Sequence, residues 1–302
     1  MEPKRQTLQI QSVVYHNEKE GLIRALRYAA NAVQTARSAG YELPLVRYAW
    51  GDASDAPVFS EEELDALRTE FADDLELTYR FFGFNSGSAK GQTLLGLGCG
   101  CDFILIMNPD VILSPRTLIE LLRPFEDPSI GMTEARQVPV EHHKQYDFQT
   151  LETSWATGAC SMIPTMLFEL VGGYDYETFF LYCDDVDLSW RVRLAGKKIL
   201  YCPAAQVFHA KRLSGEAGWQ AGRAERYYSA EAAILMACKW SEPTRARRLM
   251  HIFENSMDED QRRAAAAVRR RMEEGRMPAP LDPEHRVATF RGDYYADNRF
   301  TV

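Results

Sequence analysis

The chain has 302 residues, 46% of them hydrophobic, which is long enough and apolar enough for one large or two small cores. Its net charge is −8 and its pI is near 5.4, so it has no overall basic field to hold nucleic-acid phosphates. This balance excludes a dedicated DNA- or RNA-binding protein. There is no apolar run of about 18 residues and no signal-peptide pattern, so we expect a cytoplasmic location.

The chain opens with a strand–helix–strand pattern. Residues 8–16 predict a strand, residues 21–40 a helix that ends at Gly40, and residues 43–50 a second strand. A sheet with helices packed on it is therefore expected from the start.

A second helix and a third strand follow. Ser60 and Glu63 form a capping box, which predicts a helix to about Phe71. A strand is predicted at 75–82, and the Gly-rich residues 85–98 are expected to begin as a loop before another helix.

The five apolar residues 103–107, "FILIM", lack alternation and predict a central strand covered by helices on both faces. Ser114 as N-cap and Pro115 at the first helical position then predict the start of a helix. Asp110 would therefore lie in a short loop between strand and helix. In doubly wound sheets, ligands bind at such carboxyl ends of strands.

The rest of the chain gives weaker patterns. The expected elements are a strand at 130–140, a helix stopped by Gly172 and Gly173, a helix from residue 184 to Gly196, and strands at 199–202 and 205–210. After about residue 213, helical segments rich in Arg, Glu and Ala precede an aromatic tail that begins near Met277.

Asp110 is the first candidate for chemistry. It ends "NPD" directly after a buried strand, where a carboxylate suits Mg²⁺ or Mn²⁺, ions that often bind through one or two carboxylates plus substrate phosphates. A plain turn is the alternative reading of Asn108-Pro109-Asp110.

Three aspartates at the start of the helix from residue 184 are the second candidate. Acidic residues are favoured in a first helical turn, and Asp187 lies four residues before Arg191 in salt-bridge register, which is the structural alternative. The functional reading requires one carboxylate that accepts a proton next to an apolar pocket. We choose Asp185 for that role.

The remaining candidates are a small-residue segment and a histidine. Residues 83–92, "GFNSGSAKGQ", contain Asn85, Gly87 and Lys90 and would let backbone amides approach an anionic group, although they match no standard phosphate motif. His209 ends a predicted strand, where a lone histidine serves either structure or ligand binding.

The order of these pieces resembles the inverting glycosyltransferases of family 2, and most closely their bacterial rhamnosyltransferase-like branch. The resemblance covers roughly residues 8–212 and depends on "GDASD", the Gly/Asn loop, "NPD", "TGAC", "GGYDYETFFLYCDDVDLSWR" and a late histidine. Its most specific part is residues 172–191. The sequence departs from the family at "NPD", which has one carboxylate fewer than Asp-x-Asp, at Gly51-Asp52, and at Asp184 in place of Glu.

The resemblance implies a GT-A fold: an α/β architecture with a doubly wound, mostly parallel central sheet flanked by helices. It places a glycosyltransferase domain at 1–212, with a nucleotide-binding half at about 1–112 and an acceptor half at about 113–212. A mostly helical C-terminal extension follows at 213–302.

The resemblance also implies transfer of a sugar from a nucleotide-diphosphate donor, dTDP-rhamnose or a UDP-sugar, to a glycan or lipid-linked glycan in surface polysaccharide synthesis. Asp52 would contact the nucleoside, Asp110 and His209 would bind Mg²⁺ or Mn²⁺, and Asp185 would deprotonate the acceptor hydroxyl. The expected substrate-binding set is Asp52, Asn85, Gly87, Lys90, Asn108, Trp155, Thr157, Gly158, Asp184 and Arg191.

Other functions and partners remain open from the sequence. One alternative is a non-catalytic glycan-binding or scaffold protein that kept the fold. The single carboxylate of "NPD", where the family has two, favours this alternative. Another is a nucleotidyltransferase, although the N-terminal residues lack the basic Gly-rich loop that such an enzyme would show. Peripheral contact with anionic lipid, a solvated helix or a homodimer contact would each suit the basic residues Arg262, Arg263, Arg269, Arg270 and Arg271.

Overall fold

The protein is built around one large mixed sheet. The computed structural model describes residues 5–142, 144–209, 222–292 and 294–298. The strands are β1 (Thr7–Val14), β2 (Leu45–Asp52), β3 (Glu76–Phe81), β4 (Phe103–Met107), β5 (Val111–Leu113), β6 (Ile130–Val138), β7 (Glu152–Thr153), β8 (Cys160–Pro164) and β9 (Lys198–His209).

The strand order of this sheet is β3-β2-β1-β4-β8-β6-β9-β5, with β7 paired to β9. β1 pairs in parallel with β2 and β4, β2 with β3, and β6 with β9. β8 lies antiparallel between β4 and β6, while β5 and β7 are antiparallel to β9. Of the strands that the described residues form, β1, β2, β3, β4, β6 and β9 therefore share one direction, which confirms the mostly parallel sheet.

Helices lie between the strands in sequence and pack on the sheet, and further helices come after the last strand. They are α1 (Lys19–Ser38), α2 (Glu61–Glu70), α3 (Gly87–Gly96), α4 (Thr117–Leu122), α5 (Thr165–Leu170), α6 (Asp184–Leu194), α7 (Arg223–Lys239), α8 (Pro243–Glu254) and α9 (Glu259–Glu273). Within the described ranges, none of these helices is both long and apolar enough to cross a bilayer. The predicted domain boundary at 212–213 lies outside the described residues.

Several elements form as their local sequence predicts. The Ser60 hydroxyl accepts from the Glu63 amide at 3.2 Å, and the Glu63 carboxylate accepts from the Ser60 amide at 2.8 Å, so the capping box starts α2. All of β4 is buried, which confirms a central strand. Gly172 and Gly173 follow α5 with φ values of +78° and +67°, a conformation that glycine adopts without a Cβ clash.

The predicted start of α4 is wrong. Ser114 and Pro115 do not begin the helix, which has Arg116 as N-cap. The chain first forms β5 and pairs with β9, and the Ser114 carbonyl then accepts from the Thr117 amide at 3.1 Å. The tertiary pairing of β5 thus takes precedence over the local helix-start signal.

The strands predicted at 199–202 and 205–210 are also corrected, because they form the single strand β9. Its register against β6 shifts between Ala135 and Arg136. This irregularity accommodates the residues between the two apolar runs, so the chain stays in one strand.

Three apolar regions hold the layers of the described residues together. The largest lies between α1, α2, α4 and the sheet. Another lies between α3, α5, α6 and the sheet. The third joins α6 to the C-terminal helices and tail, and Trp190 of α6 is its centre. The Trp190 ring packs edge-on against Trp240 at 5.1 Å, against Phe290 at 5.3 Å and against Tyr295 at 5.9 Å between centroids.

A buried charge network reinforces the joint between α6 and α7. The side chain of Asp187 is 0% exposed and accepts from Arg191 Nε at 2.8 Å, which confirms the predicted salt bridge. The same carboxylate accepts from Trp240 Nε1 at 3.0 Å, and Lys239 Nζ lies 2.7 Å away. Lys239 also reaches Asp175 at 2.6 Å, so the network includes the segment before α6.

We predict that Asp187→Ala destabilises the protein by about 3–5 kcal/mol, because it leaves the buried cations of Arg191 and Lys239 without this carboxylate. Urea unfolding of the purified variant measures the loss. The control is Glu254→Ala, which breaks a partly exposed pair with Arg269 and should cost less than about 1 kcal/mol. Equal losses in the two variants would contradict the central role of Asp187.

Candidate active site

The carboxyl ends of β1, β2, β3 and β4 meet at one edge of the sheet. Val14, Asp52 and Phe81 lie side by side there in register, and β4 ends beside them at Met107. The turn that contains Asp110 follows directly. The geometry therefore places Asp52 and Asp110 at the same edge, where doubly wound sheets bind their ligands.

Asp110 faces His209 across the β5–β9 ladder. Val111 pairs with His209 in antiparallel register, and His209 Nε2 lies 3.6 Å from Asp110 Oδ1. The Asp110 side chain is 50% exposed, whereas that of His209 is 10% exposed. The structure thus brings together the two predicted metal ligands, one oxygen donor and one imidazole.

Gln137 supports this pair and is absent from the sequence-based prediction. His209 Nδ1 lies 2.8 Å from Gln137 Oε1 on β6, and this contact fixes the orientation of the histidine ring. A carboxylate and an imidazole suit Mn²⁺. In the part of the chain that the structure describes, no cluster of three or more His, Cys, Asp or Glu side chains is arranged for a metal ion. A cation bound here would need further oxygen atoms from a substrate or water.

Asp185 lies at the start of α6 and holds the loop after Trp155. Its Oδ2 accepts from the Gly158 amide at 3.0 Å. The same loop contacts the turn of residues 108–110, which we call the metal-side turn, because the Asn108 amide donates to the Ala159 carbonyl at 3.0 Å. This loop therefore bridges the predicted base and the predicted metal ligands.

The two acidic groups at the start of α6 are costly to bury. Burial raises the pKa of the Asp184 carboxyl to about 8, with a further contribution from neighbouring Asp185. Burial also raises the pKa of Asp185, opposed by the Gly158 amide and by Lys144. The two neighbouring carboxyl groups are therefore hard to ionise together.

The backbone before α6 is strained. Tyr182 and Cys183 adopt φ values of +66° and +57°. Such left-handed conformations cost energy in non-glycine residues and cluster at functional sites. These two residues lead directly into Asp184 and Asp185 at the start of α6.

A buried ion pair under the 155–158 segment is the main feature that the sequence did not reveal. Lys144 Nζ lies 2.7 Å from Glu134 Oε2 and 2.5 Å from the Trp155 carbonyl oxygen, and it lies 3.7 Å from the centroid of the Trp155 ring. Glu134 Oε1 also accepts from the Thr157 amide at 3.1 Å. This ion pair and the predicted base thus bind consecutive amides of the segment.

The indole of Trp155 has an unpaired donor. Trp155 is 8% exposed, and its Nε1 is buried without a hydrogen-bond partner among the residues that the structure describes. The Nε1 atoms of Trp50 and Trp190 in the core are buried and unpaired in the same way, so this donor alone does not mark a ligand contact.

The Gly-rich segment forms the start of α3. Gly87 has a φ of +63°, and a Cβ there would lie 2.5 Å from the Phe180 carbonyl oxygen, so both backbone conformation and space require glycine. Asn85 Oδ1 accepts from the Gly87 amide at 3.1 Å. The small residues of this segment thus allow a close approach between α3 and the chain before α6.

Lys90 of α3 lies between two aromatic rings. Its Nζ is 5.0 Å from the centroid of the Phe84 ring and 5.5 Å from that of the Tyr176 ring. The faces of such rings attract a cation. The lysine charge is therefore oriented near the start of the helix.

The carboxylate of Asp52 is buried and forms hydrogen bonds within the protein. It is 0% exposed and accepts from the Ser54 amide at 2.9 Å and from the Val58 amide at 2.8 Å. The Tyr79 hydroxyl also donates to it. Its carboxylate therefore shapes the loop after β2, and contact with a nucleoside stays a prediction.

Arg191 is likewise engaged by the protein itself. It donates to the carbonyl oxygens of Val171 and Gly173, which follow α5, and to the carboxylate of Asp187. These contacts tie α5 to α6 and give Arg191 a structural role. Its predicted contact with a substrate stays a prediction.

No family model matches the chain, but comparisons with curated proteins give relatives. It is 33% identical over 111 residues to the N-acetylglucosaminyl-diphospho-decaprenol L-rhamnosyltransferase of Mycobacterium tuberculosis, covering 35% of this chain and 36% of that protein. It is 26% identical over 138 residues to rhamnosyltransferase WbbL of Escherichia coli K12, covering 36% of this chain and 52% of that protein. The chain thus spans about a third to a half of these relatives' length.

Comparisons with solved structures cover nearly the whole chain. GalNAc-T7 with UDP, GalNAc and Mn²⁺ superposes with a TM-score of 0.62 at 11% identity, covering 91% of this chain and 56% of that one. The mannosyltransferase PcManGT of Pyrobaculum calidifontis with GDP-Man and Mn²⁺ gives 0.56 at 15% identity, covering 90% of this chain and 82% of that one.

The sheet and these superpositions together define the fold as GT-A. Within that fold, about a third of the chain is similar in sequence to rhamnosyltransferases, in agreement with the resemblance to family 2.

We predict that the free energy of unfolding depends less on pH in Asp184→Asn than in the parent protein, between about pH 4 and pH 8. The folded carboxyl has a pKa of about 8 against an ordinary 3.8, so folding takes up a proton in this window and stability falls as pH rises. Asparagine removes that uptake, worth up to about 1.4 kcal/mol per pH unit for one proton. Urea unfolding at several pH values measures the slope.

The matched control is Asp73→Asn, an exposed aspartate after α2, whose stability curve should run parallel to that of the parent protein. A curve for Asp184→Asn that also runs parallel would show that Asp184 ionises normally in the folded state.

Proposed function

We propose that the protein is an inverting glycosyltransferase that moves a sugar from a nucleotide-diphosphate donor to a hydroxyl group of a glycan or glycolipid. The observation that carries this proposal is that one loop of a GT-A fold contacts Asp185 through the Gly158 amide and contacts the turn of the Asp110–His209 pair through the Ala159 carbonyl. The similarity to two rhamnosyltransferases favours dTDP-rhamnose as donor and a lipid-linked saccharide as acceptor, in surface polysaccharide synthesis.

Asp185 would act as the base. Breaking the anomeric bond builds positive charge on the sugar and negative charge on the departing diphosphate, and the acceptor hydroxyl must lose its proton as it attacks from the opposite face. One carboxylate suffices for that step, in contrast to the carboxylate pair of a retaining hydrolase. Against the effect of burial, the Gly158 amide and nearby Lys144 favour the ionised form that a base requires.

Asp110 and His209 would hold Mg²⁺ or Mn²⁺, with Gln137 fixing the histidine ring. When bound, such a cation would neutralise charge on the leaving diphosphate. Asn108 would orient the turn that carries Asp110.

The start of α3, with Asn85, Gly87 and Lys90, would lie toward the phosphates, because amides at a helix start and an oriented lysine attract anions. Asp52 would hold the β2 loop against the nucleoside. These residues would together form the donor side of the site.

The sugar and acceptor side would be formed by Trp155, Thr157, Gly158 and Asp184. A buried salt bridge fixes the backbone of this segment, so the indole is presented with little freedom.

A non-catalytic glycan-binding protein is the second candidate, favoured by the single carboxylate in the metal-side turn. Peripheral membrane contact and a homodimer stay predictions. The arginines named for lipid contact are partly used inside the protein, since Arg263 binds Asp260 and Arg271 donates to the Glu177 carbonyl at 2.9 Å.

We predict that Asp185→Asn lowers transfer by about 10²- to 10⁴-fold, the usual contribution of a positioned base, while donor binding changes little. Product formation is followed with dTDP-rhamnose and UDP-sugars, and donor binding by calorimetry. The control is Asp73→Asn, which should retain parental activity. Residual transfer above about a tenth of the parental rate would remove Asp185 from this role.

We predict that one nucleotide among UDP, GDP, dTDP and CMP raises the melting temperature, and that Mn²⁺ enlarges the shift, because a ligand of the native state stabilises it. Asp110→Ala should abolish the Mn²⁺ enhancement. Gln137→Leu should weaken Mn²⁺ affinity by about 10- to 100-fold, as loss of a histidine-orienting partner does. Shifts with none of the nucleotides would favour the binding-protein alternative.

A further inference from the structure

A cleft of about 450 Å³ lies between α7, α9 and the segment that precedes α6. It is separate from the metal-side turn and from the 155–158 segment. Its lining combines aromatic rings with charged side chains, which include Phe180, Tyr227, Tyr228, Arg223, Asp260 and Arg263.

The aromatic wall is ordered by ring packing. Phe180 stacks on Tyr228 with 4.8 Å between centroids and 28° between planes, and Tyr227 meets Tyr228 edge-on at 4.9 Å. All three side chains are only partly buried, so each keeps accessible surface. Rigid aromatic surfaces offer contact area at low entropic cost.

The polar wall is arranged by one buried carboxylate. Asp260, with its side chain 4% exposed, pairs with Arg223 at 3.2 Å and with Arg263 at 3.2 Å, while these arginine side chains remain 70% and 58% exposed. Each guanidinium is therefore fixed at one end and keeps further N–H groups for a ligand. Glu231 supplies an acceptor, and its carboxylate receives a hydrogen bond from the Tyr227 hydroxyl at 3.4 Å.

The charges in this lining nearly cancel. Arg223 and Arg263 face Asp260 and Glu231, so the cleft offers donors and acceptors but no surplus positive charge for a phosphate. Stacking surfaces with paired donors and acceptors suit a neutral ligand that has apolar C–H faces and many hydroxyl groups. A sugar ring has both properties.

The cleft adjoins the candidate active site. Phe180 packs so closely on Gly87, at the start of α3, that a Cβ there would meet its carbonyl oxygen. The cleft thus lies beside the donor end of the sheet.

We propose that this cleft is a saccharide subsite that binds a sugar unit of the acceptor glycan remote from the reacting hydroxyl. The proposal rests on the glycosyltransferase function above, since it names where a longer acceptor gains affinity. An oligosaccharide that spans both places would bind better than its single sugar units.

The first test measures binding without turnover. Saturation-transfer NMR of the full chain is recorded with trisaccharides of rhamnose, N-acetylglucosamine or mannose, each against its monosaccharide, up to about 10 mM. We expect at least one trisaccharide to receive saturation, with loss of the signal in Tyr228→Ala and retention in Tyr228→Phe, which keeps the ring. Absence of signal for every trisaccharide, or equal signal in Tyr228→Ala, would overturn the subsite.

The second test uses transfer. With a trisaccharide acceptor that binds, Tyr228→Ala and Arg263→Ala should each raise the acceptor KM by roughly three- to tenfold with little change in kcat. Donor hydrolysis without acceptor should be unchanged. Arg270→Ala, at an exposed position of α9, is the control and should behave as the parent.

The two tests separate the two proposals. If saccharide binding depends on Tyr228 but the protein transfers no sugar, the subsite would be supported and the glycosyltransferase function refuted. Transfer in which Tyr228→Ala and Arg263→Ala keep the acceptor KM of Arg270→Ala would support the enzyme and refute the subsite.

Discussion

The buried carboxylate of Asp187 is the constraint from which the arrangement of the site follows. It binds Arg191 on its own helix and Lys239 and Trp240 at the end of α7, so α6 cannot turn or slide without leaving charges unpaired. Trp190 adds aromatic contacts with the C-terminal tail. The helix that carries the proposed base is thus held by residues far along the chain.

These contacts of Asp187 and Trp190 stabilise α6, so its first residues can adopt an arrangement that would be unfavourable in an isolated helix. Asp184 and Asp185 are desolvated together, and the two residues before them adopt left-handed backbone conformations. Packing elsewhere offsets their cost, a pattern common where backbone strain serves a site. As a result, the Asp185 carboxylate reaches the Gly158 amide and so connects α6 to the loop beside the metal-side turn.

Local signals in the sequence predicted much of this architecture. The unbroken apolar run of β4 and the capping box of α2 need only neighbouring residues to be understood, and Asp110 and Asp185 stood out because carboxylates followed apolar segments. The pairing of β5 with β9 overrode the helix signal at Ser114, because strand pairing depends on residues far away in the chain. The roles of Gln137 and Lys144 could not be predicted for the same reason, because their partners lie on other strands.

The salt bridge between Glu134 and Lys144 has a consequence for how sequences of this type can diverge. Both charges are buried, and each also binds the backbone of the 155–158 segment. Replacement of one partner alone leaves a desolvated charge beside the site, whereas replacement of both by apolar residues removes that penalty. The two positions should therefore change together among related sequences, so that a covarying pair at β6 and the loop after it marks those that share this way of presenting Trp155.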